Sequence, residues 1–153
     1  MKLQVKEIMT SSVVTVKNTD DVDVVVSLMI RHNISGIPVV DDNNILRGVI
    51  SERDLLCLLT LTDDDKTKVM DYATFNVVMV YEDTPLVEVV EMMTTHAYRR
   101  LPVIDHDGKL LGVISRRDMI RFIRDLRVRL TNVLETRKAE MHAESTASSV
   151  GCT

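Results

Sequence analysis

The sequence predicts an α/β (α+β) fold: two tandem β-α-β-β-α units related by a pseudo-twofold axis, followed by an extended C-terminal helix. Three observations carry this reading. The segment Gly48-Val49-Ile50-Ser51-Glu52-Arg53-Asp54 returns as Gly112-Val113-Ile114-Ser115-Arg116-Arg117-Asp118, 64 positions later. The offset holds without a gap at Val5/Val69, Val14/Val78, Val16/Val80, Met29/Met93, His32/His96, Pro38/Pro102 and Asp41/Asp105. Within each copy, β-prone runs and a helical apolar period follow one another in the same order. Identity at polar positions is not explained by hydrophobic patterning, and two copies of a long period indicate a paired domain rather than an array.

The elements follow in chain order. Val13-Val14-Thr15-Val16 is a short β-prone run. Residues 21–30 are ambiguous alone, because Val22, Val24 and Val26 alternate as in a strand. The second copy resolves them: Leu86, Val89, Val90 and Met93 repeat at helical spacing, behind Thr84 as N-cap and Pro85 at the first helical position. The first copy is therefore predicted helical too, its β-branched residues held there by packing. Ile37-Pro38-Val39-Val40 and Leu101-Pro102-Val103-Ile104 read as strands beginning at proline, where a missing N–H is tolerated. Asp41-Asp42-Asn43-Asn44 and Asp105-His106-Asp107-Gly108 are turns that make each pair of strands a hairpin. The following strands, 46–50 and 110–114, run into helices starting near Ser51 and Ser115.

These elements divide the chain into a first unit at 1–60, a polar linker at 61–68 containing Asp63-Asp64-Asp65, and a second unit at 69–124. A helical extension covers 125–138. Met119, Ile123, Leu126, Leu130 and Val133 step by four and three along it, a short heptad seam that a partner helix in a homodimer would cover, the alternative being that it folds back on its own domain. From 139 to 153 the composition turns small and polar, and a frayed, disordered tail is expected there.

Composition narrows the function classes. The chain has 153 residues, a net charge of −4, 45% hydrophobic and 27% charged residues, which fits a globular protein and argues against general nucleic-acid binding. Aromatics make up 3%, with no Trp, too few for a base-stacking platform. Cys57 and Cys152 form neither a metal-binding spacing nor a disulfide framework, which fits a reducing compartment. No apolar run is long enough to span a bilayer and no signal-peptide pattern opens the chain, so a cytoplasmic protein without membrane contact is expected.

Two ungapped units that each contain a Pro-Val strand ending in Asp, a short turn and Gly-Val-Ile-Ser-x-Arg-Asp resemble a pair of CBS domains, often called a Bateman module. The resemblance covers Val5 to Arg124. It implies two units packed sheet to sheet, with two clefts that take adenosine-containing ligands: AMP, ADP or ATP, with S-adenosylmethionine or NAD also within the family's range. It implies a regulatory rather than catalytic protein of the stand-alone type, with no required cofactor.

Ser51-x-x-Asp54 and Ser115-x-x-Asp118 stand where a strand feeds a helix, and free N–H groups at a helix start favour an anion. The resemblance assigns Asp54 and Asp118 to the two hydroxyls of a ribose, and Ser51 and Ser115 to ribose or phosphate oxygens. Arg53 and Arg117 lie between them and can neutralise phosphate. Ser-x-x-Asp ahead of an apolar run is also a capping box, and the two roles are compatible. Arg99 and Arg100 replace Ser35 and Gly36 of the first copy. In the family such residues reach phosphates of a nucleotide held by the other unit. The cleft using Asp54 is therefore expected to face them and to prefer more phosphate, while the Asp118 cleft has Arg116 nearby. With few aromatics, recognition of the adenine that the resemblance implies would be apolar and main-chain, with Val16, Ile37, Pro38, Val80, Leu101 and Pro102 as candidates; these residues also read as ordinary core, and core at a cleft mouth can do both. His32 and His96 end equivalent helices, where a cation complements the dipole.

Three functions compete. A regulatory module would bind an adenine nucleotide and signal to a regulated protein whose identity the residues do not give. An enzyme would need a nucleophile–base pair, a metal cluster or a phosphate-binding Gly-rich loop, and the sequence has none of these patterns. A ligand-independent dimeric scaffold, or a nucleic-acid-binding protein, would use the cationic helix of Arg116, Arg117, Arg121, Arg124, Arg127 and Arg129.

Overall fold

In the computed structural model, residues 2–60 and 65–149 are described. Four helices and five strands form in the order α1 (Val22–His32), β1 (Gly36–Val40), β2 (Leu46–Ser51), α2 (Glu52–Leu55), β3 (Val80–Tyr81), α3 (Leu86–Thr95), β4 (Arg100–Ile104), β5 (Leu110–Ser115) and α4 (Arg116–Ser149). Short 3-10 turns occupy Val5–Glu7, Leu56–Leu59 and Val69–Asp71. The chain divides into two units, Met1–Arg116 and Arg117–Thr153.

In the first unit, the segment at 21–30 is a helix despite its alternating valines. Val22, Val25 and Met29 are buried at i, i+3 and i+7, so the helical face and not the strand face meets the core. Asn33 ends α1 in the left-handed conformation, where its N–H reaches the carbonyls of Ile30 and Met29. In α3 the equivalent Val89 and Met93 are buried. Its N-cap is Pro85, one residue later than expected, because the Thr84 hydroxyl accepts from Tyr81 N at 3.0 Å and closes the preceding turn.

Each hairpin has the same register: Ile37 opposes Ile50 and Pro38 opposes Val49, as Leu101 opposes Ile114 and Pro102 opposes Val113. Asp41 fixes its turn by accepting from Asn43 N at 2.9 Å and Ile45 N at 3.0 Å, and Asp105 accepts from Asp107 N and Lys109 N, both at 2.9 Å. Asn44 and Gly108 complete the turns at positive φ, 62° and 87°. The leading strands are shorter than predicted. Val80–Tyr81 pairs in parallel with Val103 and Ile104, whereas the run at 13–16 shrinks to one parallel bridge between Val16 and Val39.

The repeats are joined in two ways. At their hairpins, Leu46 N donates to Gly108 O at 3.1 Å and Leu110 N to Asn44 O at 3.0 Å, over a cluster of Val40, Leu46, Ile104 and Leu110. At their starts, they exchange segments. Val5 N bonds Thr84 O and Lys6 N bonds Glu82 O, both at 3.0 Å. Reciprocally, Val69 N bonds Asp20 O at 2.9 Å and Met70 N bonds Asn18 O at 3.1 Å. Val69 is fully buried in the core of the first repeat with Val16, Val25, Ile37, Val39 and Ile50. Every one of these contacts has its twin 64 residues away, which is the pseudo-twofold relation.

The second unit is the body of α4. Residues 139–149, expected to be a disordered tail, are helical. Ala139, Glu140, Met141, Ala143, Glu144 and Ala147 are of types that lose little on entering a helix, and the Thr146 hydroxyl donates back to His142 O at 3.1 Å. Residues 61–64 of the expected linker and 150–153 of the expected tail lie outside the described residues. No described helix is long and apolar enough to cross a membrane.

Candidate functional site

Ser51 is the N-cap of α2 and makes a reciprocal box with Asp54. Asp54 N donates to Ser51 Oγ at 3.4 Å, and Ser51 N donates to Asp54 Oδ2 at 2.8 Å. The serine hydroxyl also donates to Oδ2 at 3.0 Å. The capping role is therefore present in full. It leaves Oδ1, which takes one long hydrogen bond of 3.4 Å from the Thr74 hydroxyl. Asp54 remains half-buried, with one carboxylate oxygen oriented by the box and the other near solvent. Because α2 is a single turn, its dipole is small.

Thr74 was not anticipated as a site residue. It arrives from the second repeat by pairing with Val49, each N–H donating to the other's carbonyl at 2.9 Å. Thr10 pairs with Val113 in the same way at 2.9 Å. The available signal was the recurrence of threonine at positions 10 and 74, at the repeat offset. Nothing local shows that each copy's threonine crosses the other copy's strand.

In the second copy, Ser115 ends β5, and Asp118 lies in the first turn of α4. Asp118 is 7% exposed, the one buried charged residue among those described, and accepts from Arg121 Nη1 at 3.5 Å. Its carboxylate is thus more deeply placed than that of Asp54.

Arg116 Nε donates to Tyr98 O at 2.9 Å, and its Nη2 donates to Met93 O at 2.7 Å. Its guanidinium holds the carbonyl end of α3, a capping function. Arg100 pairs with Ser115 in the β4–β5 register, and Arg99 O accepts from Arg116 N at 3.0 Å. Strand pairing thus joins Arg99 and Arg100 to the Ser115 turn of their own repeat. Ser35 and Gly36 stand in the matching relation to Ser51, through Glu52 N to Ser35 O at 2.9 Å and the Gly36–Ser51 pair. Arg53, Arg99, Arg100 and Arg117 are exposed.

The apolar candidates are core residues. Val16, Ile37, Val80 and Leu101 are at most 4% exposed, and Pro38 and Pro102 are buried. β1 and β4 are buried along nearly their whole length, without the alternation of a half-exposed sheet. His32 ends α1 and His96 caps α3, as their spacing predicted. Among the described residues, no group of three or more His, Cys, Asp or Glu side chains could hold a metal.

A second polar cluster lies at the β4–β5 turn. His106 Nε2 is 3.0 Å from Asp83 Oδ2, and its ring stacks on Tyr81 with centroids 4.8 Å apart. The hydrogen bond and charge of Asp83 push the imidazole above its ordinary range, and His106 in turn holds the Asp83 carboxyl below the usual one. At the first-repeat positions equivalent to Tyr81 and His106, Lys17 Nζ binds Asp42 Oδ1 at 2.5 Å.

Comparison with known proteins gives a consistent picture. The family model for the CBS domain matches residues 5–60 and again 69–125. The chain is 34% identical over 119 residues to an uncharacterised protein of Methanocaldococcus jannaschii, covering 78% of this chain and 42% of that one. It is 36% identical over 116 residues to the inosine-5'-monophosphate dehydrogenase of the same organism, covering 75% of this chain and 22% of that one. The chain thus spans less than half the length of either. Among solved structures, CBSX2 in complex with AMP superposes with a TM-score of 0.73 at 32% identity, covering 81% of this chain and 98% of that one. The CBS domain pair of protein MJ0100, in complex with 5'-methylthioadenosine and S-adenosyl-L-methionine, gives 0.69 at 25% identity, covering 82% and 98%.

Proposed function

The chain belongs to the CBS domain family, as a tandem pair of such domains, and on that premise we propose that it is a regulatory module for adenosine-containing nucleotides of the AMP, ADP and ATP class. The observation that carries this reading is the likeness to an AMP-bound CBS pair over 81% of the chain, combined with two copies of the Ser-x-x-Asp turn. Asp54 and Asp118 accept from the ribose hydroxyls, with Ser51 and Ser115 beside them. Arg53 and Arg117 neutralise phosphate. Arg99 and Arg100 add positive charge at the start of β4, and this makes the two sites unequal in phosphate preference. No catalytic step is assigned. The module acts as a cytoplasmic homodimer through the apolar seam of α4. Occupancy biases its conformational equilibrium by the ligand's differential affinity for the two states, and a regulated protein reads the result.

Thermal unfolding with AMP, ADP, ATP, S-adenosylmethionine and NAD, repeated on Asp54→Ala and Asp118→Ala, tests the reading. A ligand present at about 100 times its dissociation constant adds about 2.7 kcal/mol per site. The expected result is a shift with at least one adenine nucleotide that each substitution reduces. A second reading, a ligand-independent scaffold, is favoured by the bonds that already engage Asp54 with Ser51 and Thr74. An unchanged midpoint with all five compounds would select it.

A further inference from the structure

The second repeat carries an ionisable cluster that the first does not. His106, in the β4–β5 turn, meets Asp83 Oδ2 through Nε2 at 3.0 Å and stacks on Tyr81 with the ring planes 14° apart. At the repeat offset these three positions are Asp42, Thr19 and Lys17, and no imidazole stands among them.

Tyr81 and Asp83 belong to the turn that receives the start of the chain. Leu86 N donates to Leu3 O at 2.8 Å, and Val5 N and Lys6 N donate to Thr84 O and Glu82 O, both at 3.0 Å. The turn is tied to β4 by Glu82 N, which donates to Ile104 O at 3.1 Å, and to the β4–β5 turn by the two contacts of His106. His106 thus fastens the receiving site of residues 3–6 to the second hairpin.

The surrounding charges favour a protonated ring. Asp83, by hydrogen bond and charge, acts most strongly, and Glu82 and Asp105 act in the same direction. Lys6 is the cation facing Asp83, and Asp107 and Lys109 complete the charged groups of the turn. As an imidazolium the ring gives the carboxylate a charge-assisted bond and presents a cation to the face of Tyr81; as a neutral ring it loses both. Imidazole changes charge within the physiological range.

We propose that His106, Asp83 and Tyr81 form a proton-operated clasp on the N-terminal segment. Protonated, the cluster holds the turn at 81–84 in place to receive residues 3–6. Deprotonation lets that segment open more often, and the twin segment at 67–70, which has no such cluster, is unaffected. The clasped segment continues to Thr10, which pairs with Val113 on the strand that ends at Ser115. Proton loss therefore loosens the approach to the second Ser-x-x-Asp turn and not to the first. That last consequence rests on the proposed nucleotide reading; the opening itself does not.

Amide hydrogen exchange between about pH 6 and about pH 8.5, expressed as protection relative to an unstructured peptide, tests the clasp. Val5 and Lys6 report the clasped segment, and Val69 and Met70 at the equivalent positions are the internal control. Because an exposed pair is weak, protection at Val5 and Lys6 should fall only about two- to five-fold as pH rises, while Val69 and Met70 hold constant. His106→Asn and Asp83→Asn should each abolish the fall. An equal fall in both segments, or one that persists in His106→Asn, would overturn the clasp, as would an NMR titration that places the His106 ring in its ordinary range. AMP titrated by calorimetry at the same two pH values scores the nucleotide reading separately: absence of binding at both would remove that reading and leave the exchange result standing.

Discussion

The carbonyl oxygen of Thr74 lies so close to Gly48 that a Cβ built on the glycine would sit 2.6 Å from it. Thr10 stands in the same relation to Gly112, at 2.5 Å. The glycine of each Gly-Val-Ile-Ser string is therefore there for a close backbone approach, in which a segment of one repeat lies against the second hairpin strand of the other. Gly48→Ala and Gly112→Ala should each lower stability by about 1–3 kcal/mol, because the displaced atom is main chain and cannot swing aside. Urea unfolding measures this, and unchanged midpoints in both variants would mean that the crossing segments shift freely.

Asp54 joins a structural role to the proposed binding role, and the two separate by substitution. Asp54→Ala removes the capping box and should cost about 0.5–2 kcal/mol in the absence of ligand. Thr74→Val removes only the 3.4 Å bond to Oδ1 and leaves the box intact, so its cost should be smaller. If the carboxylate holds ribose, Asp54→Ala also reduces the nucleotide-induced shift. A full shift retained in that variant would confine the residue to capping.

Arg116 should behave as a structural residue. Arg116→Met leaves the carbonyls of Met93 and Tyr98 without their donor and is expected to cost about 1–2 kcal/mol. Nucleotide affinity should stay close to that of the unaltered chain. Isothermal titration that found a clear loss of affinity, with unfolding unaffected, would return Arg116 to the nucleotide site near which its position in the sequence put it.

The His106–Asp83 pair predicts a pH dependence that the first repeat lacks, since Asp42 and Thr19 stand at the matching positions there. The folded-state pKa of His106 is raised, so its contribution is complete below the ordinary imidazole range and is lost as pH rises through the raised value. Asp83 is lowered, so its share is present above the ordinary carboxylate range and is lost as pH falls through the depressed value. The pair stabilises between those limits. Both side chains are substantially exposed, 66% and 48%, and the effect is correspondingly small. Thermal midpoints followed across neutral pH should decline toward alkaline pH in the unaltered chain and decline less in His106→Asn. Equal slopes in the two proteins would remove the pair as the cause.

The sequence by itself determined the doubling and, through it, much of the local structure. The second copy resolved the first, so the helix at Val22–His32 was legible although its valines alternate. The hairpins and their Asp-led turns followed from short-range chemistry, since Asp41 and Asp105 bond main-chain groups two and four residues on. Tertiary structure decided the rest. It placed Val69 in the core of the first repeat, brought Thr74 to Asp54, buried Val16 and Ile37, and turned Arg116 onto the end of α3. Each of these depends on which distant segment packs against a residue. Periodicity and spacing report the face a residue occupies on its own element; the partner across that face is fixed only when long-range hydrogen bonds and burial close the fold.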